Sequence, residues 1–311
     1  MPQFTKKHNG TNYKFVWTSE LKSLPYTPRE TFIPHYNIIM DEKVKPMGPI
    51  VSRTGGKSRL AKRINSLIPE HEIYVELFVG GGSVFFNKGY RSRKEVINDL
   101  DSDIADIYRD FKSVGDKIIG KSFIPSRGEF DKLLRTTKHR GDPVARLYRN
   151  IYLSKMSFSG NRSSYIGKNA ETSRHYNNLQ NGIPKYNTGN HHRRLQGVTI
   201  ESADFKKLIK KYDSPKTFFY LDPPYSRAAE NKDYVEVGVT IEEVYNAVKN
   251  IKGKFLISYD DVPEAKQVFK QFNIIRVETV YNKGTGGATL GAWELLIKNY
   301  LKNSEKKNLK Q

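Results

Sequence analysis

The 311-residue chain carries 53 Lys+Arg against 33 Asp+Glu, a formal net charge of +20, and no cysteine. Those counts exclude disulfides, thiolate metal sites and a cysteine nucleophile. The charge favours a polyanionic partner, because neutralising phosphates releases condensed counterions. No apolar run is long enough to span a membrane and no apolar signal core opens the chain, so the expectation is a soluble intracellular protein without a membrane partner.

Residues 1–45 read as an extension. Pro25, Pro28, Pro34 and Pro46 interrupt any long element there, while Phe15, Trp17 and Phe32 suggest that part of it docks on the body. The core opens at Ile50-Val51 with a Gly55-Gly56-Lys57 turn and a helix over 58–67, whose Leu60, Ile64, Leu67 and Ile68 share one face ahead of Pro69. A buried strand over 73–78 runs into Gly80-Gly81-Gly82 and an apolar helical start at 83–86. A second strand over 95–99 and a helix over 101–114 follow. Strand alternating with helix predicts a parallel sheet with crossovers.

Residues 121–200 break that alternation. They hold 15 Lys+Arg and 4 Asp+Glu, with a helix over about 143–155 and then a polar, Gly- and Asn-rich stretch. Asn161, Asn169 and Asn177 lie among Tyr148, Tyr165 and Tyr176, a mixture suited to phosphate contacts, base edges and stacking. The alternation resumes with a strand over 217–221 that ends at Asp222. Helices over 241–251 and 264–272 and strands over 254–258, 273–281 and 292–297 complete it. The layout is an extension (1–45), an α/β core in two pieces (46–120 and 201–300), a mostly helical and loop insertion (121–200) and a polar tail (301–311).

Two motifs carry chemistry. Glycines between a strand and a helix let the backbone turn sharply and approach a ligand, and Asp99, ending the next strand about twenty residues on, can accept hydrogen bonds from both hydroxyls of a ribose. The glycine run alone is equally a tight turn; paired with Asp99 it points to a nucleoside cofactor. A phosphate-loop reading of Gly55-Gly56-Lys57 fails for want of the preceding Gly-x4 spacing. Asp222-Pro223-Pro224-Tyr225 ends an apolar strand, at the sheet edge where open α/β folds bind ligands. Its alternative is an ordinary strand-ending turn.

The exocyclic amine of adenine is a poor nucleophile because its lone pair is delocalised. A carboxylate and a backbone carbonyl accepting its two N–H groups favour the more nucleophilic geometry, and a rigidly held aromatic can stack on a flipped base. C5-cytosine methylation through a cysteine adduct is closed to this chain.

These residues, in this order, resemble the Dam-type (D12 class, alpha group) N6-adenine DNA methyltransferases over residues 49–299. The resemblance implies a Rossmann-like class I methyltransferase core with an inserted target-recognition region, here 121–200. It implies transfer of a methyl group from S-adenosylmethionine to N6 of a flipped adenine in double-stranded DNA, with no metal required. It assigns Asp222, Pro223, Pro224 and Tyr225 to catalysis. Gly55, Gly56 and Lys57 are assigned to the methionine part of the cofactor, with Arg53 where the family often has Trp. Glu76, Phe78, Gly80 and Gly82 line the cofactor, Asp99 (chosen over Asp101) holds its ribose, Asp204 lies near its adenine, and Asp222 closes the pocket. Arg149, Lys155, Asn161, Arg162, Lys168, Arg174, Arg193 and Arg194 are the expected DNA contacts.

Double-stranded DNA is the expected partner, with a cognate restriction endonuclease as a further candidate, and the protein is expected to act as a monomer or weak dimer. The recognition hairpin of GATC-specific relatives is not reproduced over 161–178, so the target sequence stays open. His191-His192-Arg193-Arg194 reads as a solvated or phosphate-facing loop in preference to a metal site, and Asp260-Asp261 as surface turn acids. Tyr234 is equally a flipped-base contact or a packing residue. Two readings compete: methylation of another planar amine (cytosine N4, RNA adenine or a protein glutamine), against which the leading Asp of the tetrapeptide argues, and a non-catalytic DNA-binding protein with the fold retained, which only Arg53 supports.

Overall fold

The structure, a computed structural model, describes residues 3–8, 11–16, 43–51, 55–118, 123, 125–136, 142–157, 164–165, 188–224, 238–281 and 290–301. Of the expected site residues, Arg53, Asn161, Arg162, Lys168, Arg174 and Tyr225 lie outside the described residues, as does Tyr234.

The extension contains a feature that its prolines did not announce. β1 (Gln3–His8) and β2 (Thr11–Val16) pair antiparallel as a separate two-stranded sheet. The Asn9-Gly10 pair between them is a sequence signal for a two-residue hairpin.

The body is a seven-stranded sheet of order β5-β4-β3-β6-β7-β9-β8. Its strands are β3 (Ile73–Glu76), β4 (Lys94–Asn98), β5 (Thr199–Glu201), β6 (Thr217–Leu221), β7 (Lys254–Asp260), β8 (Asn273–Tyr281) and β9 (Leu290–Lys298). β5, β4, β3, β6 and β7 are mutually parallel, whereas β9 runs antiparallel to both β7 and β8. The chain leaves β3 toward β4 and β5 and returns to β6 on the other side of β3. The resulting crevice, beyond the carboxyl ends of β3 and β6, is the topological switch point at which open α/β sheets hold ligands.

Period-two alternation sends successive strand residues to opposite faces. Tyr74, Ile97, Phe218, Tyr220, Leu256 and Leu296 face one core, packed against α1 (Ala61–Leu67), α2 (Ser83–Asn87), α3 (Ser102–Val114) and α5 (Pro143–Met156). Val75, Val96, Phe219, Leu221, Ile257 and Leu295 face the other, against α7 (Phe205–Tyr212), α8 (Ile241–Val248) and α9 (Pro263–Val268). All five residues of β6 are buried, and fully burying a side chain such as Phe218 or Phe219 stabilises by about 1.5–3 kcal/mol.

Helix starts follow local chemistry. Asp142 accepts from Val144 N ahead of Pro143 in α5, and Thr240 and Glu243 form a reciprocal capping box on α8. α4 (Arg127–Arg135), absent from the sequence reading, starts the same way: Ser126 accepts from Glu129 N. That Ser-x-x-Glu spacing is the signal that could have found it. α6 (Thr188–Leu195) replaces the expected loop at His191–Arg194. Gly, Asn and His are poor helix formers, but His191, Arg194 and Leu195 fall on one buried face. Leu147, Ile151 and Leu195, all within the 121–200 insertion, share a core with the sheet.

Candidate active site

The opening segment and the glycine motif form one structure. Ile50 N donates to Gly81 O at 3.2 Å, and a Cβ on Gly81 would stand 2.4 Å from Val51 O, so only glycine lets the two backbones meet. Gly80 and Gly82 have φ of +48° and +77°, conformations that L side chains rarely adopt. Tyr108 Oη donates to Gly80 O at 2.8 Å and fixes the turn from α3. The chain then threads the switch point: Leu77 N donates to Tyr220 O (3.0 Å) and Val79 N to Asn98 O (2.8 Å).

Asp99 sits directly beyond β4 and is partly exposed. Its two carboxylate oxygens accept from Gly80 N (2.9 Å) and Asp101 N (3.0 Å), so the glycine turn orients the acid. Asp101 instead caps α3 by accepting from Asp103 N. Asn98, inside the strand expected over 95–99, ties three segments together through its side chain: Nδ2 donates to Leu77 O and Ala203 O, and Oδ1 accepts from Ala203 N. That clamp fixes Ala203 against Asn98 and Leu77, and the next residue, Asp204, is the N-cap of α7. Phe78 packs on Phe205 at 5.3 Å between ring centroids, and Leu100, 51% exposed, leaves an apolar side chain next to Asp99. Close backbone approach, a positioned carboxylate and apolar side chains are the donor set that a nucleoside cofactor needs, so S-adenosylmethionine fits the residues present.

The second half of the site lies on the same sheet face. Inward parity places Glu76 at the end of β3, Asp222 after β6, Ser258 and Asp260 on β7 and Glu294 on β9, where the register opposes Asp260 to Glu294. Lys57, 5% exposed, enters from the loop ahead of α1. Its Nζ lies 2.9 Å from Asp222 Oδ1 and 3.8 Å from Glu294 Oε2, and it donates to Gly55 O at 2.9 Å. Burial alone pushes this ammonium down; the carboxylates of Asp222, Glu294 and Asp260 outweigh it and hold Lys57 above its ordinary value. Burial pushes Glu76 up to about 8, against the Tyr74 hydroxyl that donates to it at 2.6 Å. Ser258 Oγ donates to Asp222 Oδ1 at 2.8 Å and meets Tyr220 Oη at 2.9 Å.

The structure thus brings Gly55, Gly56, Lys57, Glu76, Phe78, Gly80, Gly82, Asp99, Asp204 and Asp222 to one sheet edge, with Pro223 and Pro224 immediately beyond Asp222. Tyr220, Ser258 and Glu294 were read from sequence only as parts of strands, with no role in the site. Their signal was a polar atom at inward parity near the end of an otherwise apolar strand.

Two of the expected DNA contacts, Arg194 and Lys155, are buried. Arg194 is 1% exposed; it donates to both oxygens of Glu95, at 2.9 Å from Nη2, and its guanidinium lies 3.9 Å from the Phe85 ring centre. Lys88 Nζ meets the same carboxylate at 2.7 Å. Lys155 is buried too, and burial pushes its pKa down to about 8. Neither is displayed to a phosphate. Arg193 is exposed, and Arg149 is half-buried, donating to Leu133 O and Asn150 Oδ1. His191 Nε2 and His192 Nδ1 lie within 2.9 Å of Gly48 O and Phe111 O, so both rings tie α6 to the core. Asp261, expected as a surface acid, pairs with Lys266 and Arg276.

A family model described as "D12 class N6 adenine-specific DNA methyltransferase" matches residues 54–283. Among curated relatives, the Type II methyltransferase M1.LlaDCHI of Lactococcus lactis subsp. cremoris is 28% identical, covering 85% of this chain and 99% of its own length. The Type II methyltransferase M.MjaIII of Methanocaldococcus jannaschii is 24% identical over 81% of this chain and 99% of its own. A DNA adenine methylase of Vibrio cholerae is 23% identical, covering 75% and 89%.

Proposed function

This chain belongs to the D12 class N6 adenine-specific DNA methyltransferase family, and on that premise we propose that it transfers a methyl group from S-adenosylmethionine to N6 of adenine in double-stranded DNA. The observation that carries the reading is the seat of Asp222: beyond β6 at the switch point, on the face shared with Lys57, across β3 from the glycine turn and Asp99.

S-adenosylmethionine supplies an electrophilic methyl group when bound. The rest is done by side chains and backbone of this protein. The Gly80–Gly82 turn and Gly55-Gly56 admit close backbone contact, while Asp99 accepts from ribose hydroxyls and Asp204 lies toward the purine. Asp222 accepts one N–H of the adenine amine, and the Pro223 carbonyl is the acceptor for the other, which draws the nitrogen toward a tetrahedral, nucleophilic geometry. The amine would attack the methyl carbon directly: as the N–C bond forms the C–S bond breaks, its electron pair staying on the sulfur of the departing thioether, and the methylated nitrogen gives up one proton to solvent. Tyr225 is the stacking partner for the flipped base. The 121–200 segment, with exposed Arg193, is the target-recognition region, and its excess of cations supplies the phosphate contacts. The protein acts inside the cell, where its DNA is.

The test is transfer of labelled methyl from S-adenosylmethionine to mixed-sequence duplex DNA, followed by digestion to nucleosides and mass analysis. N6-methyldeoxyadenosine is the expected product. Asp222→Ala abolishes it while partly retaining cofactor binding by calorimetry. Label on cytosine N4, or none on any mixed-sequence duplex, overturns the reading.

A further inference from the structure

Asp222 is gripped through one oxygen by donors from two different parts of the chain. Lys57 Nζ lies 2.9 Å from Oδ1, and Ser258 Oγ donates to the same atom at 2.8 Å. A serine hydroxyl has one proton. Since that proton goes to Asp222, the 2.9 Å contact between Ser258 Oγ and Tyr220 Oη has the tyrosine as donor. The three groups form a directed chain, Tyr220 to Ser258 to Asp222.

The backbone holds this chain in place. β6 and β7 are parallel neighbours whose register pairs Tyr220 with Leu256 and Leu221 with Ile257, which sets Asp222 beside Ser258. Tyr220 and Ser258 are 1% and 0% exposed. A dry serine in the apolar run Phe255-Leu256-Ile257-Ser258-Tyr259 costs free energy unless its hydroxyl is bonded. A small apolar residue there would satisfy packing alone. The hydroxyl needs a reason, and its side-chain partners among the described residues are Tyr220 and Asp222.

We propose that Ser258, oriented by Tyr220, is a positioning residue for methyl transfer: it fixes the rotation of the Asp222 carboxylate before the substrate amine arrives. A carboxylate free to turn about its Cβ–Cγ bond presents the correct lone pair to an N–H only part of the time. Two donors on Oδ1 remove that freedom and set the direction of Oδ2 toward the incoming amine, which is pre-organisation in its simplest form. Lys57 cannot do this alone, because an ammonium is a rotatable point charge that also has Glu294 within 3.8 Å. Ser258 sits on a strand and its hydrogen bond is directional. The inference rests on Asp222 being the acceptor for the amine, as proposed above.

The experiment compares the wild-type chain with Ser258→Ala, Ser258→Thr, Tyr220→Phe, the Ser258→Ala/Tyr220→Phe double variant and Asp222→Ala. It reads kcat and KM for mixed-sequence duplex DNA, cofactor Kd by calorimetry, and thermal midpoint. Ser258→Ala is expected to lower kcat by about 10- to 100-fold, with KM and cofactor Kd held within about twofold. Ser258→Thr, which returns a hydroxyl on a β-branched side chain suited to a strand, restores most of kcat. Tyr220→Phe lowers kcat several-fold and adds little to Ser258→Ala, because the two act in series.

Wild-type kcat in Ser258→Ala alongside an inactive Asp222→Ala overturns the positioning role. So does a loss in Ser258→Ala that tracks cofactor Kd or thermal midpoint, which assigns the serine to packing. If Ser258→Ala does not fold, Tyr220→Phe with wild-type kcat has the same force. An active Asp222→Ala instead overturns the reading beneath the inference.

Discussion

Lys57 Nζ and Asp222 Oδ1 stand 2.9 Å apart, joining the loop ahead of α1 to the end of β6 across the mouth of the site. Only 5% of Lys57 reaches solvent, and three carboxylates hold its charge. Removing one partner of a buried ion pair leaves the others uncompensated, which costs about 3–5 kcal/mol. Lys57→Met is therefore expected to lose stability on that scale in denaturant unfolding at pH 7. Because the folded value is raised above the unfolded 10.5, the stabilisation is complete below that pH and fades only as pH rises through the folded value. A loss under about 1 kcal/mol at pH 7 would show that water screens the cluster.

Glu76 gives a pH signature of opposite usefulness. Its folded value, about 8, lies above the ordinary 4.5 because burial disfavours the carboxylate. Between those limits the unfolded chain releases the proton and the folded protein keeps it, so this group's stabilising contribution is complete below 4.5 and is lost as pH rises toward and through 8. Glu76→Gln, which mimics the neutral form, should gain thermal stability relative to wild type at pH 8.5 and show much less gain at pH 5. Equal differences at the two pH values would mean that Glu76 titrates as an exposed acid does.

Legibility from sequence followed periodicity. β6 was bounded to the residue because an apolar run with a sharp end leaves little latitude, whereas α1 begins at Ala61, three residues late, because residues 58–60 form a turn. The cofactor half of the site was readable because glycines and a strand-ending Asp are local signals. Ser258, Tyr220 and Glu294 were not, because their role depends on register between strands far apart in the chain. Charge was the weakest guide. Arg194 and Lys155 counted toward the basic insertion, yet both are buried, and composition cannot distinguish a lysine on a surface from one in a core.

The glycine turn makes a steric prediction. A Cβ at Gly81 meets Val51 O at 2.4 Å, a backbone atom that cannot move aside cheaply, whereas at Gly55 it meets nothing within 4 Å and faces only the strain of φ +77°. Gly81→Ala should destabilise by about 1–3 kcal/mol and weaken cofactor binding, since the shift propagates into the turn that orients Asp99. Gly55→Ala should cost about 1–2 kcal/mol from the left-handed backbone alone. Unfolding and calorimetric titration with S-adenosylmethionine check both, and a Gly81→Ala protein matching wild type in both readouts would refute the close-approach account.

Arg193 and Arg194 are adjacent in sequence and opposite in expected behaviour. Arg194 shares the buried Glu95 carboxylate with Lys88, so Arg194→Ala should lose about 3–5 kcal/mol of stability by unhooking α6 from β4. Its effect on DNA should vanish once binding is corrected for the folded fraction. Arg193 is exposed, so Arg193→Ala should change stability by less than about 0.5 kcal/mol. Where Arg193 meets a phosphate, its loss should reduce the slope of log affinity against log salt by about one unit. Denaturant unfolding together with salt-dependent binding to duplex DNA separates the two. A salt slope lowered by Arg194→Ala with stability intact would place that guanidinium on the DNA and reverse the assignment made from its burial.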